Sequence, residues 1–320
     1  LRQLVVLFGG TGVIGSAAAT VARQRGLDVL SISLDVPVNR RFYRNLQLDL
    51  ESVSPPTLAK TLDEAVGGSP VALLFDIIGL GGKTATAMAE IAAARAAPVA
   101  LISSCLLYDH DGSGPVEENC PLVADGPDCH AYLRDKLAVE AFWRNEPRVG
   151  WRIFRCHHIL GAGSNFGCIP NHNRDPQLLA RLRRGEPLAL ARGGELSLSW
   201  IHPEDLAAAV LDLCADPRSR HASVNLSAPD PVRAQSYYEA IARALELPAP
   251  EIRHFDPDPG DFWALTARDN VFVSGHPFFN ELSFRHDFAS AIRDALAVPE
   301  NERARRARFM LARIAGRMGG

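Results

Sequence analysis

The apolar run Leu4-Val5-Val6-Leu7-Phe8 passes directly into Gly9-Gly10-Thr11-Gly12-Val13-Ile14-Gly15, and no other feature narrows the possible folds as far. Five consecutive apolar residues make a strand buried on both faces. The alanine-rich stretch 13–26 has the spacing of a helix. Between them, glycines stand at both G-x-x-G-x-x-G and G-x-G-x-x-G spacing. Such a turn lets backbone N–H groups approach a pyrophosphate and lets the helix pack close to the sheet. The helix N-terminus adds a favourable partial positive charge. Gly9, Gly10, Thr11, Gly12, Val13, Ile14 and Gly15 are therefore the candidate cofactor turn.

The alternation then continues. A strand is expected at 28–33, a helix at 57–66, a strand at 71–75, a helix at 84–97 and a strand at 99–103. A helix at 132–144 and a strand at 150–154 follow. This rhythm means an α/β fold, a Rossmann-type doubly wound parallel sheet with crossover helices. From about residue 159 the pattern breaks into glycine- and proline-rich loops around short elements, with helices at 203–214 and 235–245. The expected organisation is a dinucleotide-binding domain at 1–158 and a smaller C-terminal substrate lobe at 159–300, interleaved with elements returning to the sheet. An arginine-rich helix at 301–320 ends the chain. With 320 residues, 47% of them hydrophobic, the chain can bury a core of that size.

The end of the second strand is where an NAD-preferring site usually places an acid for the ribose hydroxyls. Ser33 stands there, with Asp35 two residues on and Arg40 and Arg41 in the following loop, where a guanidinium can neutralise a 2′-phosphate. The expected cofactor is NADP(H), favoured over NAD(H). Asp49, after the third strand, is a candidate adenine contact.

Tyr132 and Lys136 fall one helical turn apart on one face. A nearby ammonium and an oxidised nicotinamide both favour phenolate, so the tyrosine can exchange a proton with a substrate oxygen while hydride moves. Ser104, at the end of the fifth strand, can hydrogen-bond the same oxygen.

The glycine turn, Ser103-Ser104-Cys105-Leu106-Leu107-Tyr108, the Tyr132/Lys136 pair and Trp200-Ile201-His202-Pro203-Glu204-Asp205-Leu206 together resemble the extended short-chain dehydrogenase/reductase superfamily, in its NAD-dependent epimerase/dehydratase group. Phe75-Asp76-Ile77-Ile78-Gly79 and Val224-Asn225-Leu226-Ser227 are similar to the branch containing the chloroplast stem-loop-binding proteins, which includes RNA-associated members. The resemblance implies catalytic roles for Ser104, Tyr132 and Lys136 and places Gly79 and His157 near the cofactor. It also implies a homodimer through the helices bearing Lys136 and residues 85–94.

Departures from the family pattern narrow the reaction. Cys105 and Leu106 stand where sugar-nucleotide dehydratases carry an Asp-Glu pair, which argues against elimination. Leu198 stands where a diphosphate-binding arginine is common, with Arg181, Arg183, Arg184 and Arg192 as possible substitutes. Cys105 and His172 resemble the acid–base pair of fucose-forming epimerase/reductases.

The expected activity is oxidoreduction of a carbonyl or secondary alcohol on a small metabolite, a sugar or a secondary-metabolite ketone. The alternatives are a nucleotide-sugar epimerase with retained NAD and an RNA-associated protein on the same fold. Thirty-four basic against 37 acidic residues, a formal charge of −3, supply no field to draw the chain to nucleic acid or membrane. The six cysteines form no C-x-x-C pair and no histidine group has metal-ligand spacing, so neither a disulfide framework nor a metal is expected. A reducing cytoplasm is the expected setting.

Overall fold

The computed structural model describes residues 2–35, 44–50, 52–79, 81–126, 129–166, 177–256, 268–299 and 302. Seven strands form one parallel sheet: β1 (Leu4–Phe8), β2 (Asp28–Ser33), β3 (Arg44–Gln47), β4 (Val71–Asp76), β5 (Val99–Ser104), β6 (Trp151–Cys156) and, from the C-terminal half, β11 (Ala222–Asn225). Their spatial order is β11-β6-β5-β4-β1-β2-β3. The chain therefore winds outward from β1 in one direction, returns, and winds outward from β4 in the other. This makes the crevice between β1 and β4 the topological switch point, where ligands bind at the carboxyl ends of the strands.

Strand side chains sort by parity, as the pleat requires. Leu4, Val6 and Phe8 of β1 join a core with α2 (Pro55–Val66), α3 (Gly82–Ala94) and α4 (Ala131–Arg144). Val5 and Leu7 join a second core on the opposite face with α1 (Val13–Gln24) and α6 (Pro203–Ala215). A sheet covered on both faces explains why its central strands β1, β4 and β5 read as near-continuous apolar runs.

Elements of the C-terminal half are expected to return to the sheet, and β11, parallel to β6, is such an element. Its first residues, Ala222 and Ser223, lack the apolar density of the central strands β1, β4 and β5. Pairing with β6 and packing of Val224 in the second core make it a strand. The remaining short strands, β7 (His158–Ile159), β8 (Leu188–Ala191), β9 (Ser197–Leu198), β10 (Trp200–Ile201), β12 (Val232–Arg233) and β13 (Ile252–Phe255), pair in twos. With α5 (Leu178–Arg183), α7 (Ala234–Ala244) and α8 (Phe288–Ala297) they enclose a third core beside the carboxyl edge of the sheet. Among the described residues, no helix is long and apolar enough to cross a membrane. Most of the expected arginine-rich terminal helix lies outside the described residues.

Candidate active site

The glycine turn stands where β1 passes into α1. Gly12 precedes the helix, with no side chain capping it and no acidic residue in the first turn. The positive end of α1 is thus presented by backbone alone, an arrangement suited to an anion. The glycines differ in why they are needed. A Cβ on Gly15 would lie 2.3 Å from the Gly9 carbonyl and 2.5 Å from the Gly10 Cα, so only glycine lets α1 approach the turn this closely. A Cβ on Gly12 would meet nothing nearer than the Gly9 carbonyl at 3.5 Å, an ordinary contact. Packing leaves Gly12 free to vary; the open backbone above the turn is what it preserves.

Across the switch point, Asp76 ends β4 and its buried carboxylate accepts the N–H groups of Ile78 (3.1 Å) and Gly79 (2.8 Å). These bonds hold Gly79 in a left-handed conformation, φ 56°, against Lys136 and the end of β5. Lys136 is 4% exposed and donates to the carbonyls of Ile78 (3.1 Å) and Ile102 (2.8 Å). Its ammonium is therefore gripped by the sheet, although its backbone belongs to α4. It lies 5.9 Å from the centre of the Tyr132 ring. α4 begins at His130, whose Nδ1 accepts the Tyr132 N–H at 3.2 Å.

Ser104 ends β5 and caps the short turn Cys105–Leu107, its Oγ accepting the Leu106 N–H at 3.2 Å. The structure thus brings Ser104, Lys136 and Tyr132 to one edge of the sheet, at the ends of β5 and the start of α4. Cys105 packs in a different cluster from Tyr132. It is buried with Tyr108, Val116 and Phe272, and burial, reinforced by the neighbouring Cys156, pushes its thiol well above the ordinary value. A thiol held this firmly protonated is poorly placed for acid–base exchange. Its expected partner His172, like Arg40, lies outside the described residues.

Ser33 is buried, its Oγ 3.2 Å from that of Ser31. The carbonyl of Asp49 accepts from both the N–H and the hydroxyl of Ser52, so Asp49 heads a turn. His157 Nδ1 lies 3.0 Å from the Ser199 carbonyl, and its ring packs on Phe272. Burial lowers its pKa to about 4 despite that bond. His157 therefore joins sheet to lobe as a neutral ring. Leu198, at the position of the family arginine, is buried in β9, and Arg181 and Arg184 both pair with Glu186. His202, His286 and Asp294 approach one another at the start of α6. His202 Nδ1 accepts the Glu204 N–H, which leaves its ring proton on Nε2, 3.4 Å from Asp294.

Residues 81–226 match the NAD dependent epimerase/dehydratase family. The match takes in Ser104, Tyr132, Lys136 and β11, so the matched region includes both the candidate catalytic edge and the strand that returns from the C-terminal half. The chloroplast stem-loop binding protein of 41 kDa b of Arabidopsis thaliana is 26% identical over 153 residues, 47% of this chain and 39% of that protein. An epimerase of Methanothermobacter thermautotrophicus has a TM-score of 0.72 at 15% identity, covering 98% of this chain and 94% of that one. A UDP-glucose-4-epimerase of Stenotrophomonas maltophila, with bound NAD and formylated UDP-arabinopyranose, has a TM-score of 0.69 at 17% identity, covering 96% and 100%. At such identities the structural likeness is one of fold. The family match covers a little under half of the chain, residues 81–226.

Sequence reasoning passed over two residues of this region, Glu140 and Arg155, which form a buried ion pair directly behind the site. A signal for the first was present: Tyr132, Lys136 and Glu140 recur every four residues on one face of α4.

Proposed function

We propose that this chain is a nicotinamide-dependent oxidoreductase that interconverts a carbonyl and a secondary alcohol on a small metabolite, a sugar or a secondary-metabolite ketone, with NADP(H) as the preferred cofactor. The observation that carries the reading is the buried Lys136 ammonium, anchored on the Ile78 and Ile102 carbonyls beside the switch point and facing the Tyr132 ring. The uncapped start of α1 and Gly79, whose missing side chain leaves room for Lys136 at the crevice, fit a dinucleotide. Gly9 to Gly15 would hold its pyrophosphate and Lys136 its ribose. A nicotinamide bound there supplies a donor or acceptor of hydride.

The chain's own residues handle the proton. Tyr132 Oη takes it from a substrate hydroxyl during oxidation and returns it during reduction, and the Lys136 charge favours the phenolate that makes this possible. Ser104 Oγ already accepts from Leu106 N–H, so its own proton remains for the substrate oxygen and fixes that oxygen's direction. Support for NADP(H) is the lack of an acid at the end of β2, where Ser33 bonds Ser31.

The deciding measurement is a fluorescence titration with NADPH and NADH, wild type beside Gly12→Trp, after checking denatured protein for retained cofactor. Tight NADPH binding that Gly12→Trp abolishes is the expected result. Preference for NADH reverses the cofactor assignment and favours an epimerase, in which the same hydride returns to the opposite face. Binding of neither, with no retained cofactor, overturns the reading in favour of an RNA-associated protein. The buried Leu198 disfavours a nucleotide-diphosphate substrate, because no guanidinium occupies that position.

A further inference from the structure

Resting on that reading of the site, we infer that Arg155 is a positioning residue, which sets the distance between the Tyr132 hydroxyl, carried by α4, and the Lys136 ammonium and Ser104 hydroxyl, held by the sheet. Arg155 lies on β6 and is 2% exposed. Its Nε and one terminal nitrogen donate to both oxygens of Glu140 at 3.0 and 2.7 Å, a bidentate pair. Its other terminal nitrogen donates to the Tyr108 hydroxyl at 2.8 Å, and the guanidinium lies over the Tyr108 ring at 4.8 Å. Glu140 follows Lys136 by four residues on α4; Tyr108 follows Ser104 by four, across the turn that Ser104 caps. One guanidinium thus ties the helix of Tyr132 and Lys136 to the strand end of Ser104.

The tie is anchored on its far side. Tyr108 donates to Asn225 Oδ1 at 2.6 Å, and the Asn225 amide donates to the carbonyls of Val116 and Val273, both at 3.0 Å. Glu118 accepts the Asn225 N–H and the Ser274 hydroxyl. β11, the 109–120 loop and the 270–275 segment therefore brace the same group. Burial works against the Arg155 charge, but the hydrogen bonds and charge of Glu140 outweigh it and hold the guanidinium more firmly protonated than usual.

The consequence lies in how the Tyr132–Lys136 spacing arises. Both residues belong to α4, yet the Lys136 ammonium is seated on sheet carbonyls while Tyr132 moves with the helix. The spacing is a helix-to-sheet distance, and the Arg155–Glu140 pair is the bond that fixes helix to sheet one turn away. Loosening it moves Tyr132 from the ammonium and weakens the charge that favours phenolate.

The test is an ultraviolet titration of the phenolate band, with the Tyr132 step isolated by subtracting Tyr132→Phe. The subtraction is made in wild-type protein, in Arg155→Lys, and in Arg152→Lys. Arg152 is a second buried β6 arginine, bonded instead to Ser219 and the Asp216 carbonyl. Arg155→Lys keeps the charge but loses the fork. The expected result is a Tyr132 midpoint raised by about one unit, a tenfold change in ionisation constant, while Arg152→Lys lowers thermal stability without moving it. A displaced wild-type step that Arg155→Lys leaves in place overturns the positioning role alone. A wild-type step at the ordinary phenol value overturns the reading of the site and the role of Arg155 with it. If Arg155→Lys does not fold, Tyr108→Phe decides: a smaller upward shift supports the role, and none overturns it.

Discussion

At the scale of single residues, the glycine turn separates positions needed for packing from positions needed for a ligand. Gly15 has backbone within 2.5 Å of where a Cβ would stand, and backbone cannot yield as a side-chain tip can. Gly15→Ala is expected to destabilise the fold by about 1–3 kcal/mol, the usual cost of overpacking, seen as a lowered denaturation midpoint. Gly12→Ala meets only an ordinary contact, so its midpoint should stay within about 0.5 kcal/mol of wild type, while affinity for the preferred nicotinamide nucleotide falls. Equal losses of stability in the two variants would refute this division. The glycine spacing identified the turn, but it could not separate these roles, because the difference depends on which atoms of Gly9 and Gly10 face each position. Ser33 makes the same point. Its place at the end of β2 and the face it shares with Ser31 were legible from the period of a strand, whereas the burial that turns the two hydroxyls toward each other was not.

At the scale of elements, α4 organises the site. It starts on a histidine cap, presents Tyr132, Lys136 and Glu140 along one stripe, and buries Leu133, Val139 and Trp143. The cap uses a ring nitrogen as acceptor, so it requires neutral His130, and burial lowers the His130 pKa in that direction. His130→Ala should cost about 1 kcal/mol of stability, as other N-cap losses do, and His130→Asn should recover most of it. A His130→Ala protein as stable as wild type would show that the cap contributes nothing. The helix and its Tyr132/Lys136 pair were readable because local spacing alone defines them. Arg155 was not, since nothing near it in sequence indicates that β6 lies beside both α4 and the Tyr108 turn.

At the scale of the whole molecule, three histidines, His202 buried and His110 and His157 partly buried, are held without charge. Burial lowers His110, His157 and His202 to about 4 each; the Arg268 charge adds to the effect at His110, and the His286 charge at His202. An unfolded histidine titrates near 6.5. Between these values the unfolded chain binds protons that the folded one refuses, so stability rises with pH through this window. The contribution is complete above about pH 6.5 and is lost as pH falls toward 4. Denaturation midpoints measured from pH 7 to pH 4 should decline accordingly. His202→Asn retains an acceptor for the Glu204 N–H that His202 now caps and removes one titrating group, so its decline should be shallower. An unchanged slope would show that His202 does not contribute.

The alternation of strand and helix that sets the fold class, the glycine turn and the Tyr132/Lys136 pair follow from the sequence by itself, because each depends on neighbours within one turn or one strand. The tertiary structure alone decided that Ala222–Asn225 would close the sheet beside β6, that Cys105 would face the core, and that Arg155 would join Glu140 to Tyr108. These outcomes share one physical reason. Each depends on burying or satisfying a group through partners distant in sequence: the Glu140–Arg155 bond spans 15 positions and the Arg155–Tyr108 bond 47, Arg152 pairs with Ala222 across 70, and Cys105 packs with Phe272 from near the other end of the chain. Periodicity records which face of an element is apolar, but not which distant group will meet it.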